Sequence, residues 1–237
     1  EIRLSLVGSE MCIRDSDKIA LHALRNNCHY IDIGGYGILR DLLKPYEKSI
    51  EAQKLCFIIG VGWMPGISGV FSKTIIETHL NSPENTNFNI YYGAVDNWSY
   101  SSTYDLAASS MGKTRSYVYS HGKEIQVSPF RYTHHKFFPF IGHKKICMPS
   151  FDEQLTQLAT SLKQIRKIST FIMLNDYISM GKFMFIKIFY KHNLNKATLM
   201  LQDDYQRLVK KENKWGSVIC QVSKIEPERK IDTFYYC

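Results

Sequence analysis

Two glycine-rich turns stand where short apolar runs end. Glycines so placed let a backbone come close to a phosphate or another ligand. The first turn is Gly34-Gly35, after Tyr30-Ile31-Asp32-Ile33, and the second is Gly62-Trp63-Met64-Pro65-Gly66, after the run from Leu55 to Val61. Ile67, Val70, Phe71, Thr74 and Thr78 then fall at helical spacing, so a helix starts directly after the second turn. Its N-terminal amides would face the same crevice and favour an anion there. Any one of these glycines could be ordinary turn punctuation; two such loops at strand-helix spacing are harder to explain that way.

Other chemistries find less support. His134, His135 and His143 are close in sequence, but in a strand the first two point to opposite faces, and no carboxylate or thiolate sits nearby at ligand spacing. No metal site is expected. The chain has no Gly-x-Ser-x-Gly elbow for a nucleophilic serine. Arg131 follows the Pro129-Phe130 turn, and its guanidinium could take a substrate carboxylate bidentately; an exposed strand-end arginine accounts for it equally well.

The elements that must position these groups read as α/β. Asp17 to Asn27 has the apolar spacing of a helix and feeds a strand at His29 to Ile33, and a helical pattern also precedes Leu55 to Val61. That alternation predicts a parallel sheet. Beyond a polar cluster around Asn81 to Asn85, the pattern predicts a strand at Phe88 to Val95, a helix from Ser101 to Met111 stopped by Gly112, and strands at Arg115 to Tyr119 and Glu124 to Phe130, turned by His121-Gly122-Lys123. Ser150 and Glu153 form a capping box before an amphipathic stretch, followed by a strand at Lys167 to Leu174. Residues 177 to 211 are helical by composition, and Gly216 to Ile225 is a strand. The expected architecture is the C-terminal remnant of a Rossmann-type parallel sheet, plus a second α/β domain of helices on a mixed sheet.

Composition suits a globular chain: 237 residues, 44% hydrophobic, 13% aromatic and 22% charged. Asp176, Lys182 and Lys187 interrupt the apolar stretch from Phe171 to Tyr190, so no membrane span is expected. The six cysteines are widely spaced without a Cys-x-x-Cys pair, which favours reduced thiols and a cytoplasmic location over a disulfide framework. A net charge of +8, with Arg131 to Lys136 and His143-Lys144-Lys145 mixing basic and aromatic residues, raises nucleic acid as a partner. No nucleic-acid motif accompanies it, and a solvated basic face is the preferred reading.

Tyr30-Ile31-Asp32 and Gly62-Trp63-Met64-Pro65-Gly66 resemble the saccharopine dehydrogenase-like NAD(P)-dependent oxidoreductases, where a strand ending Tyr-(Val/Ile)-Asp precedes a second strand and a Gly-x-x-Pro-Gly loop. The likeness extends loosely through Ser120 to Phe130 and through Pro139-Phe140-Ile141-Gly142, covering residues 17 to 232. The resemblance implies that Ile33, Gly34, Gly35, Gly62, Trp63, Pro65 and Gly66 line a cofactor site for NAD or NADP. It also implies that Trp98, Ser99 and Arg131 face a small amino-acid-like substrate, in a protein able to form a homodimer. The family's Gly-x-Gly-x-x-Gly loop is nowhere in the sequence, so the chain reads as a fragment inactive by itself. Residues 1 to 16 resemble translated sequencing adapter and are set apart from fold reasoning. Residues 17 to 82 are then expected to be the end of a nucleotide-binding domain, and residues 83 to 237 a second domain. A non-catalytic scaffold on the same fold is the alternative.

Overall fold

The computed structural model describes residues 13–33, 36–62, 66–79, 86–111, 116–121, 123–150, 158–159, 165–190, 192–225 and 230–236. They form a mixed α/β protein with a two-stranded parallel sheet and a larger mixed sheet.

The parallel sheet comes first. Helix α1 (Ile13–Arg25) leads into β1 (Tyr30–Asp32). Helix α2 (Tyr36–Leu43), a 3-10 turn (Lys44–Tyr46) and α3 (Glu47–Ala52) then return the chain to β2 (Phe57–Ile59). The strands pair Tyr30 with Phe57, Ile31 with Ile58 and Asp32 with Ile59. Ala20, Ala23, Tyr30, Leu39 and Leu43 are buried together on one face, with Phe57 and Ile59 packed against them. Because strand side chains alternate, Ile31 and Ile58 point the other way, and they are 55% and 44% exposed. The helix expected from Asp17 begins at Ile13, and Ser16 is buried within it.

The larger sheet is assembled from β3 (Thr86–Val95), β4 (Ser116–Ser120), β5 (Lys123–Val127), β6 (His134–Phe138), β7 (His143–Pro149), β8 (Lys167–Leu174), β9 (Trp215–Ile225) and β10 (Lys230–Tyr236). Its order runs β10-β9-β3-β8, with β3 and β8 parallel. The far edge of β8 is shared: β4 pairs with Ser169 to Lys167, and β7 with Leu174 to Phe171. Hairpins β4-β5 and β6-β7 therefore leave the same strand in two directions. Phe140, in the turn between β6 and β7, meets Tyr236 on β10 with ring centroids 5.4 Å apart, so the sheet curls until its two sides touch.

Helices cover one face of this sheet. Helix α4 (Ile67–His79) buries Ile75 and Ile76 against Phe88, Ile90, Ile168, Val218, Cys220 and Val222. Helices α5 (Tyr100–Met111), α7 (Tyr177–Phe189) and α8 (Leu194–Val209) pack Ala107, Phe183, Ile186, Ala197 and Leu201 against Ile146, Met148, Ile172 and Leu174. The opposite face holds Tyr91, Phe138, Cys147, Phe171, Met173 and Ile219.

Several expectations need correction. The strand expected to run to Phe130 stops at Val127, because Pro129 opens a single helical turn, α6 (Pro129–Tyr132). The stretch 177 to 211 is two helices, since Tyr190 leaves helical geometry and Asn193 caps a new start by accepting from the Lys196 N–H at 3.1 Å. Strands β7 and β10 were not foreseen. Of the expected capping box, Ser150 is described, Glu153 and most of its helix lie outside the described residues, and Leu158 and Ala159 are helical.

Candidate functional site

The carboxyl ends of β1 and β2 lie side by side, as parallel pairing requires, and their loops leave from the same edge. The backbone ties them together: the Val61 N–H donates to the Asp32 carbonyl at 3.0 Å, and the Ile67 N–H to the Gly62 carbonyl at 2.9 Å. Gly60 has φ +69° and Gly66 φ +123°, values costly for a residue with a side chain. A Cβ at Gly66 would also collide with the Gly62 carbonyl. Glycine is thus needed at Gly66 for two separate reasons. The start of α4 closes the loop, with the Val70 N–H donating to the Gly66 carbonyl at 3.3 Å.

Ile33 is exposed at this edge, while Gly34, Gly35, Trp63 and Pro65 lie outside the described residues. The expected substrate residues sit elsewhere. Ser99 precedes α5 and its hydroxyl accepts from the Ser102 N–H at 3.1 Å, which makes it that helix's cap. Trp98 stacks on Tyr205 of α8, with centroids 4.7 Å apart and planes 11° from parallel. Arg131 is exposed on α6. Ser99 and Trp98 therefore have evident structural duties in seating α5 against α8.

Two acidic residues drew no notice in the sequence reading as site candidates. Asp32 is buried at the end of β1, where the Tyr30 hydroxyl donates to its Oδ2 at 2.6 Å and lies 3.3 Å from the Ser16 carbonyl. Burial, and then the Asp32 carboxylate, push the Tyr30 hydroxyl well above its usual range. Asp105 of α5 has a buried Oδ1 without a hydrogen-bond partner. Burial first, and the charge of Asp32 second, raise its pKa to about 6. A carboxyl that titrates near neutrality can hold or release a proton. The sequence signal for Asp32 was a carboxylate ending an apolar strand; Asp105, inside a helix, gave none.

His134 and His135 do occupy opposite faces of β6: the first lies 3.0 Å from the Tyr132 carbonyl through Nδ1, the second 2.9 Å from the Tyr177 hydroxyl through Nε2. Among the described residues, no group of three His, Cys, Asp or Glu side chains could hold a metal ion, and no helix is long and apolar enough to cross a membrane. Cys28, Cys56, Cys147 and Cys220 are free thiols. A cavity of about 20 Å³ lies between Met173, Phe183, Leu201 and Tyr205, room for about one water.

The described residues define a mixed α/β protein in which Gly60, Gly62 and Gly66 follow the second strand of a parallel pair. No family model and no curated protein matches the chain. The likeness to saccharopine dehydrogenase-like oxidoreductases accordingly stands on its own residues, Tyr30 to Asp32 and Gly62 to Gly66 foremost.

Proposed function

We propose that this chain is part of a longer NAD(P)-dependent oxidoreductase, which moves hydride between the nicotinamide and an amino-acid-derived small molecule. The observation that carries the reading is the uncovered face of the parallel pair. Parallel sheets are stable when both faces are packed, and two strands alone bury too little to stand by themselves. Here Ile31, Ile33 and Ile58 are exposed at the two strands. Further strand-helix units laid on that side would complete a doubly wound sheet and bring a phosphate loop to the edge where Gly62 and Gly66 lie.

The residues present fit such a cofactor in part. The glycines before α4 put no side chain in a ligand's way, but the Ile67 N–H already donates to the Gly62 carbonyl, and Asp32 Oδ2, an acceptor a ribose hydroxyl could use, already accepts from the Tyr30 hydroxyl. No pyrophosphate cradle is among these residues, so no chemical step is assigned to them. The free thiols suit the reducing cytoplasm expected from the cysteine spacing.

Reading the native transcript upstream of the Asp17 codon tests the proposal. A strand followed by Gly-x-Gly-x-x-Gly sustains it, and NAD(P) titration of that longer protein should then show saturable binding. An upstream sequence without such a unit overturns it in favour of a cofactor-free scaffold.

A further inference from the structure

We propose that the face of the large sheet opposite helices α4, α5, α7 and α8 holds a binding site for a short carboxylate carrying a hydroxyl or ammonium group, with Gln221 as its built-in stand-in ligand. The inference does not depend on the oxidoreductase reading. Three donors from three positions converge on one oxygen, Gln221 Oε1: the Lys136 ammonium at 2.7 Å, the Tyr91 hydroxyl at 3.1 Å and the Asn89 amide at 3.5 Å. The other end of Gln221 is fixed, its Nε2 donating to the Ser223 hydroxyl at 3.2 Å. A neutral amide oxygen carries only partial charge, and three donors of which one is cationic would be better matched by a carboxylate oxygen.

Strand register explains why these groups meet. Asn89 pairs with Gln221 on one side and Ser169 on the other, and Tyr91 pairs with Ile219 and Phe171, so all point to the face opposite the helices. Lys136 reaches the same oxygen from β6 because the sheet curls, and its ammonium lies 5.3 Å from the centre of the Tyr91 ring. That ring is held by Phe171, stacked at 5.1 Å, and by the edge of Phe138 at 5.1 Å. The donors are thus preorganised.

The second observation is two polar atoms left over on the same face. Ser169 is 2% exposed and its Oγ has no partner, nor has the buried Oδ1 of Asn87, one register step along β3. A buried polar atom without a partner is a cost that folded proteins ordinarily remove. Asn89 and Ser169 are on neighbouring strands, about 5 Å apart. A ligand whose carboxylate replaces Gln221 Oε1 would therefore place a hydroxyl or ammonium about one strand spacing away, within reach of these acceptors. Asn87, Asn89 and Lys136 are half-buried, which leaves a way in from solvent.

Butyrate, 4-hydroxybutyrate and 4-aminobutyrate separate the two halves of the idea, since all share the carboxylate and only the last two carry the distal donor. Calorimetric titration of the whole chain should show saturable binding of at least one donor-bearing compound, about tenfold tighter than butyrate. Tyr91→Phe, close to isosteric, should weaken all three; Ser169→Ala should weaken only the donor-bearing pair. Gln221→Ala, checked for folding by circular dichroism, should tighten binding about tenfold by removing the internal competitor. Absence of saturable binding in both wild type and Gln221→Ala, or equal affinity for the three compounds, overturns the site.

Discussion

The charge of the Asp105 carboxyl is opposed first by its burial in α5 and second by Asp32 at the end of β1. The folded protein holds this proton more tightly than the unfolded chain, whose aspartates titrate near 3.9. Its contribution to stability is therefore intact below about pH 4 and is lost as pH rises through the folded value of about 6. Asp105→Asn should raise the melting temperature at pH 7.5 and flatten the stability profile between pH 4 and pH 6.5, read by thermal melts across that range. The gain should be on the order of 1–2 kcal/mol, allowing for partial exposure. An unchanged profile would locate the pH dependence elsewhere. Gly66 makes the opposite case, since its φ of +123° and the Gly62 carbonyl both exclude a side chain. Gly66→Ala should destabilise by about 1–3 kcal/mol, measured by urea unfolding, whereas Gly181→Ala, in open space on α7, should stabilise by up to about 1 kcal/mol.

Elements were legible where local pattern and tertiary setting agree. Lys167 to Leu174 is a central strand with neighbours on both edges, so its side chains from Ile168 on are buried on both faces, and the sequence ends in the apolar run Phe171 to Leu174. β7 has the opposite character: His143-Lys144-Lys145 reads as a solvated basic patch, yet Lys145 is 1% exposed. Its ammonium donates to Asn175 at 2.6 Å and Glu212 at 3.1 Å, and lies 4.8 Å from the centre of the Trp215 ring. Those partners are 30 and 67 residues away, and no local pattern announces them. The candidate site divides in the same way. The glycines of the Gly62–Gly66 loop were visible as residue types; the meeting of Gln221 with Lys136 and Tyr91 depends on sheet order and curl. Helix α7 offers a test at this scale. Asp176 accepts from the Ser179 N–H at 2.8 Å as its cap and binds Arg207 of α8 at 2.7 and 3.0 Å. Burial would push Asp176 up, but Arg207 and Ser179 outweigh it and hold the carboxyl down to about 2. This contribution is present above about pH 4 and is lost as pH falls toward 2. Asp176→Ala should cost about 1–2 kcal/mol at pH 7 and much less at pH 2.5, compared by chemical denaturation.

On the scale of the whole molecule, the two sheets solve burial differently. The large sheet packs one face under helices and folds the other over on itself, so both are largely enclosed. The parallel pair has α1 and α2 on one side, while on the other Ile31, Ile33 and Ile58 meet solvent, with Val61, Ile67 and Val70 of the adjoining loop and helix also exposed. Exposed isoleucines on a short sheet favour self-association. Replacing Ile31 and Ile58 together by Thr keeps β-branched residues in the strands and removes apolar area only where none is buried in this chain. The double variant should therefore melt within about 0.5 kcal/mol of wild type while staying monomeric at concentrations where wild type associates, followed by sedimentation velocity. In a longer protein whose crossover helices cover that face, the same pair would instead be costly, by about 1–2 kcal/mol per buried isoleucine. The two measurements together ask whether this face belongs to solvent or to an interior. Equal tolerance of the change in both proteins would mean that nothing in the longer chain covers it.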